Sequence, residues 1–84
     1  MTPKTFRLFI KPACPWCVDA VEWLDARGWD YERLDVTNDR AARQEMIELT
    51  GQTLAPCAEI DGHVIADFDT GQLEYFLKQN GYSF

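Results

Sequence analysis

Basic side chains are scarce in this 84-residue chain: eight Lys and Arg stand against fourteen Asp and Glu, for a net charge of −6 at neutral pH. A chain this poor in cations is a poor candidate for gripping a phosphate backbone, which needs a cationic face, so no nucleic-acid partner is expected. The same shortage argues against anionic lipid headgroups. No apolar run approaches the roughly 20 residues needed to span a bilayer, so no membrane association is expected. The opening Met1-Thr2-Pro3-Lys4-Thr5 enters a strand-like segment within a few residues. It lacks the basic, long-apolar, small-residue order of a secretory signal, and a cytoplasmic protein is expected. Cysteine occurs three times, an odd number where a secreted disulfide scaffold usually carries an even one. In the cytoplasm such thiols stay reduced.

What remains is a globular composition, 46% hydrophobic and 26% charged, which argues against disorder. The length holds one core, so residues 1–84 are expected to form a single domain; a monomer is expected. No repeat, low-complexity tract or linker interrupts it.

Phe6-Arg7-Leu8-Phe9-Ile10, bounded by Pro3 and Pro12, predicts a buried strand. After the loop Lys11-Pro12-Ala13, the pattern predicts a helix from Pro15 to Arg27. Proline costs nothing there, because its missing N–H would be unpaired in a first turn anyway. Cys17, Val21 and Leu24 share one face, and Gly28 ends the helix. Tyr31 to Val36 alternates apolar with polar and predicts a second strand, closing a right-handed βαβ unit. Asn38 or Asp39 then caps a helix through Ala42, Met46, Ile47 and Leu49, stopped by Gly51. Cys57–Ile60 and His63–Ala66 flank Asp61-Gly62, among the strongest hairpin signals. A last helix carries Leu73, Phe76 and Leu77 and closes at Asn80-Gly81. The order is β-α-β-α-β-β-α, and the cysteine pair sits where the first strand hands over to the first helix.

A thiol reacts as its thiolate, and an ordinary cysteine is mostly protonated at neutral pH. Cys14 is placed at a helix N-terminus, where unpaired amides and the dipole favour negative charge. Lys11 adds a cation three residues upstream. Cys17, one turn further in, feels both effects less. This asymmetry assigns attack to Cys14 and resolution of the mixed disulfide to Cys17. Pro15 stiffens the turn and withholds an N–H, which tunes the pair towards the reducing side. The plainer alternative is two packed cysteines acting as small hydrophobes.

Phe9-Ile10-Lys11-Pro12-Ala13-Cys14-Pro15-Trp16-Cys17 resembles the active-site segment of dithiol glutaredoxins, with Trp16 where tyrosine is commonest. The likeness continues through Arg43-Gln44-Glu45-Met46-Ile47, Leu49-Thr50-Gly51, Ala55-Pro56 and the Asp61-Gly62 hairpin. It implies a thioredoxin-like α/β fold, a four-stranded mixed sheet flanked by three helices, with a cis bond before Pro56. It also implies glutathione as co-substrate, with no metal. Lys11 and Arg43 would pair with the glycine carboxylate. Leu54, Ala55 and Pro56 would line the cysteinyl part, the Ala55 backbone pairing with it as a short β-bridge. Trp16 would form a wall, and the last helix's start at Phe68 and Asp69 would receive the γ-glutamyl end. Arg43 has a second reading, an ion pair with Asp39 four residues back.

The chain also departs from the glutaredoxin pattern. The usual Gly-Gly before the last helix is Ala66-Asp67. Asp67 brings a like charge towards the γ-glutamyl carboxylate, on the order of 1 kcal/mol against binding at a partly exposed site. Weak glutathione binding is therefore expected. Some small relatives are instead reduced by a flavoprotein thioredoxin reductase and serve a reductase such as ribonucleotide reductase. Both electron donors stay open, with disulfide-containing or glutathionylated proteins as substrates. A [2Fe–2S] or metal-binding module is a further alternative, which Pro15 disfavours within the family. Cys57 reads as packing or as a third redox group. His63, at a hairpin edge, is expected to be solvated.

Overall fold

The structure is a computed structural model that describes residues 2–84; Met1, the first residue of the expected domain and of the segment read for a secretory signal, lies outside the described residues. Strand β1 (Phe6–Ile10) is buried at every position but Arg7 and occupies an interior place in the sheet. Phe6, Leu8 and Ile10 point into one cluster with Cys17, Ala20 and Leu24 of helix α1 (Pro15–Ala26) and with Leu73 and Leu77 of helix α3 (Thr70–Gln79). Phe9 points the other way, into a smaller cluster under helix α2 (Arg40–Thr50). The two-residue period of a strand thus sorts the helices, two on one face and one on the other.

The remaining strands complete a four-stranded mixed sheet of order β2-β1-β3-β4. Strand β2 (Glu32–Asp35) runs parallel to β1, while β3 (Cys57–Ile60) and β4 (His63–Ala66) are antiparallel neighbours. This is the thioredoxin-like arrangement implied by the resemblance. The second strand is shorter than the alternation of Tyr31 to Val36 predicts. The Tyr31 hydroxyl turns aside to Asp25 at 2.8 Å, whereas the Val36 N–H still reaches Ile10 O at 2.9 Å beyond the strand's end. Helix α1 stops at Ala26, one residue before the expected Arg27, which caps it instead.

The hairpin turn carries the geometry its residues predict. Asp61 and Gly62 have φ of +49° and +86°, the left-handed pair that a tight hairpin of this twist requires. The Asp61 carboxylate also accepts from the Thr5 N–H at 2.8 Å and the Tyr82 hydroxyl at 2.6 Å. These bonds hold its pKa down to about 2, the Tyr82 hydroxyl contributing most. One hairpin residue therefore latches the chain's two ends to the sheet. On the α2 face, Arg7 binds Glu45 through both Nη atoms and reaches Glu32 and Glu59 at 3.2 Å each. Among the described residues, no helix is long and apolar enough to cross a membrane.

Candidate active site

Cys14 is the N-cap of α1, in extended conformation with Pro15 at the first helical position. Its N–H donates to Lys11 O at 3.0 Å and its carbonyl accepts from the Val18 N–H at 3.0 Å. The loop from Lys11 is thereby folded back against the helix start. Cys17 falls one turn along, on the inward face, and only 1% of it is exposed. Its Sγ accepts from the Lys11 N–H at 3.4 Å. Burial is the largest influence on its titration and pushes the thiol up to about 12, with the Lys11 amide, the next largest, pulling the other way. Cys14 is only half-buried, and all three cysteines are free thiols.

The Cys14 thiol points to Ala55 O, 3.8 Å away, immediately before the cis bond at Pro56. Its side chain makes no hydrogen bond to the α1 amides. A thiol's S–H donates, so a carbonyl suits it as a partner; a thiolate can only accept, and the amides suit it better. Lys11 enters the site through its backbone, which contacts both cysteines, and the residue also lines a separate cleft with Cys17 and Arg33.

Trp16 is 59% exposed and walls a cleft of about 190 Å³ with Asp67, Phe68, Asp69 and Gln72. Phe68 is buried, and its N–H donates to Pro56 O at 3.3 Å, tying the cleft to the proline loop. The Asp69 carboxylate accepts from the Gln72 N–H at 2.8 Å, and the Gln72 side chain accepts from the Asp69 N–H at 3.0 Å. This capping box occupies the start of α3. The amides of Phe68 and Asp69, which the resemblance offers to a γ-glutamyl carboxylate, are thus already engaged. The Asp-x-x-Gln spacing is the sequence signal that would have announced it.

Trp16, Phe68 and Asp69 are brought into one cleft, and Ala55 and Pro56 meet Cys14. Leu54 is exposed, with its carbonyl accepting from the Cys57 thiol at 3.0 Å. Arg43 stands apart: it is exposed on α2, and its guanidinium makes no ion pair among the described residues. The Asp39 carboxylate instead caps α2, accepting from the N–H groups of Ala41 and Ala42. Cys57 is fully buried on the α2 face, while Cys17 lies on the other. Burial raises the Cys57 thiol as well, and Gln52 Nε2 lies 3.1 Å from it. His63 is exposed and meets Phe76 edge-on at 6.3 Å. Among the described residues no cluster of three His, Cys, Asp or Glu side chains is placed to hold a metal.

A Cys-x-x-Cys pair at a strand-to-helix junction, faced by the carbonyl before a cis-proline on a β2-β1-β3-β4 sheet, defines a thioredoxin-like dithiol domain. The glutaredoxin sequence profile matches residues 7–65, and the chain belongs to that family. It is 29% identical over 73 residues to an uncharacterized glutaredoxin-like 8.6 kDa protein in the rubredoxin operon of Clostridium pasteurianum, covering 87% of this chain and 97% of that one. It is 32% identical over 62 residues to glutaredoxin 3 of Escherichia coli, covering 74% and 75%. Among solved structures, the thioredoxin-like protein BC3987 superposes with a TM-score of 0.77 at 33% identity, over 87% of this chain and all of that one. A glutaredoxin from Archaeoglobus fulgidus shares the fold, with a TM-score of 0.75 at 14% identity over 87% and 85%.

Proposed function

We propose that the chain is a thiol–disulfide oxidoreductase in which Cys14 attacks and Cys17 resolves. The observation that carries this is the contrast within one helical turn. Cys14 is open at the helix start, and Cys17 is 1% exposed with its thiol pushed up to about 12. The Cys14 thiolate attacks one sulfur of a substrate disulfide, forming a mixed disulfide and expelling the other sulfur as a thiolate that takes a proton. The Cys17 thiol then gives up its proton and attacks the Cys14 sulfur. The Cys14–Cys17 disulfide forms and the second substrate thiol leaves. The substrate has gained two electrons and two protons, and the dithiol has lost them.

The substrates on this reading are disulfide-containing or glutathionylated proteins. Glutathione is one candidate reductant, through the groove of Trp16, Leu54, Ala55 and Pro56, with Lys11 and Arg43 as carboxylate partners. A flavoprotein thioredoxin reductase is the other, and a specific observation favours it. The cleft meant for the γ-glutamyl end holds two carboxylates, Asp67 and Asp69, and the Phe68 and Asp69 amides are spent.

The test is turnover of a mixed-disulfide substrate by the purified protein, with each reductant in turn. Cys14→Ser should abolish turnover. Cys17→Ser should complete the first step and accumulate as a protein–substrate adduct visible by intact mass. Unchanged turnover by Cys14→Ser would overturn the assignment. Faster recycling by glutathione than by the reductase would overturn the choice of donor.

A further inference from the structure

We propose that the groove along α3 docks a segment of the substrate protein that carries a Lys or Arg beside its disulfide cysteine and an apolar residue beyond it. This rests on the oxidoreductase reading of Cys14 and specifies its substrate class. The cleft beside Trp16 does not end at Asp69 and Gln72. Both residues also border a larger groove, about 580 Å³, which continues past Ile65, Tyr75 and Phe76. Trp16 in the cleft and Tyr75 in the groove are 59% and 64% exposed. Exposed aromatics in a continuous groove mark a contact surface, since their rings lose little freedom on binding.

The proline loop links the cleft to the reacting sulfur. Cys14 Sγ lies 3.8 Å from Ala55 O, and the next residue's carbonyl, Pro56 O, accepts from the Phe68 N–H. A disulfide presented to Cys14 therefore lays its flanking residues across Trp16 towards α3. There they meet Asp67 and Asp69, neither of which faces a cationic side chain among the described residues. Asp67 sits at φ +52°, a left-handed position that glycine takes most readily and that Asp and Asn also adopt. A Lys or Arg next to the attacked cysteine complements both charges, and an aliphatic residue further on fits between Ile65 and Tyr75. A γ-glutamyl carboxylate meets repulsion in the same place.

The experiment uses two peptide disulfides as probes, one with its cysteine flanked by Lys and the other by Glu. Rates are divided by those of dithiothreitol with the same peptides, which removes the intrinsic effect of the flanking charges. At low ionic strength the protein should favour the Lys peptide by about tenfold, as expected for a charge pair at a partly exposed site. In Asp67→Asn/Asp69→Asn the preference should fall to roughly threefold or less. Asp30→Asn, an exposed change of net charge away from the groove, should keep the wild-type preference. Tyr75→Ser should raise KM for a Lys peptide extended by Leu and leave kcat unchanged.

Equal normalised rates for the two peptides, or equal losses in the Asp30 and Asp67/Asp69 variants, would overturn the docking inference while leaving the oxidoreductase standing. Failure to reduce either peptide, or any small disulfide, would overturn the oxidoreductase reading and the docking inference with it.

Discussion

The sharpest consequence of the site geometry is that Cys17 should be nearly inert in the native protein. The variant that isolates it is Cys14→Ser/Cys57→Ser, which leaves one thiol. Burial is the leading cause that raises Cys17 from the ordinary 9.0 to about 12, and burial survives both substitutions. The smaller contributions of Cys14 and Cys57 leave with their thiols, so the variant keeps at most that shift. At pH ~7.5, a shift of that size lowers the thiolate fraction about a thousandfold. A more basic thiolate is intrinsically a better nucleophile, which returns about twentyfold. The net expectation is attack on a small aromatic disulfide reagent about fiftyfold slower than by a free cysteine, with the 1% exposure slowing it further. Stopped-flow absorbance would measure the rate, and urea should restore it to that of the free thiol. A native rate within about threefold of free cysteine would refute burial as the cause and remove the basis for making Cys17 the resolving group. The same shift bears on stability. Folding favours the protonated thiol, so this contribution is fully present below pH 9.0 and is lost as pH rises towards 12.

Two further outcomes concern the scaffold. Arg7→Met keeps the aliphatic stem but leaves Glu32, Glu45 and Glu59 without their shared cation. Exposed pairs are worth ~0.2–1 kcal/mol each and the two-pronged Glu45 contact more, so a loss of about 2 kcal/mol is expected, or a Tm about 10 °C lower. That gap should narrow in about 1 M salt, and a salt-insensitive Tm would show that the charges are not its source. Asp61→Asn should remove an acid-sensitive part of stability. The carboxylate sits near 2 in the fold against an ordinary 3.8, so its contribution is present above 3.8 and is lost as pH falls towards 2. Urea midpoints measured above and within that window should converge for wild type and variant at the acid end; a constant difference would rule the latch out.

Legibility in the sequence tracked how local the determining physics is. The Phe6–Ile10 run, the Asp61-Gly62 turn and Gly51 at φ +70° each act within a few residues, and each is where the pattern puts it. The burial of Cys17 follows from the same arithmetic, because it shares a helical face with Leu24. Contacts between distant segments were not readable. Nothing in Arg7 announces partners 25, 38 and 52 residues away, and nothing in Phe84 announces its edge-on contacts with Trp23 and Trp29. Lys11 is instructive: its charge drew notice, yet its peptide group makes the contacts with both cysteines. Arg43 and Asp39 have the spacing of an ion pair, but a helix start has unpaired amides to satisfy, and the carboxylate went to them.

The thiol pair and the surface around it carry different information. Helix geometry alone opens the first sulfur and seals the second, since positions three apart at a helix start differ in depth whenever the inward stripe begins at the second of them. That asymmetry suits any disulfide and therefore cannot choose a substrate or an electron donor. Choice has to come from side chains that touch what lies next to the attacked sulfur, which here means Trp16, Asp67 and Asp69. Both carboxylates are exposed but line the cleft, so they act on a neighbouring charge from well within a Debye length, whereas the rest of the net −6 acts from further off. Sensitivity to the charge beside a substrate's cysteine should therefore persist at ionic strengths that erase long-range steering, and the two effects separate by their salt dependence.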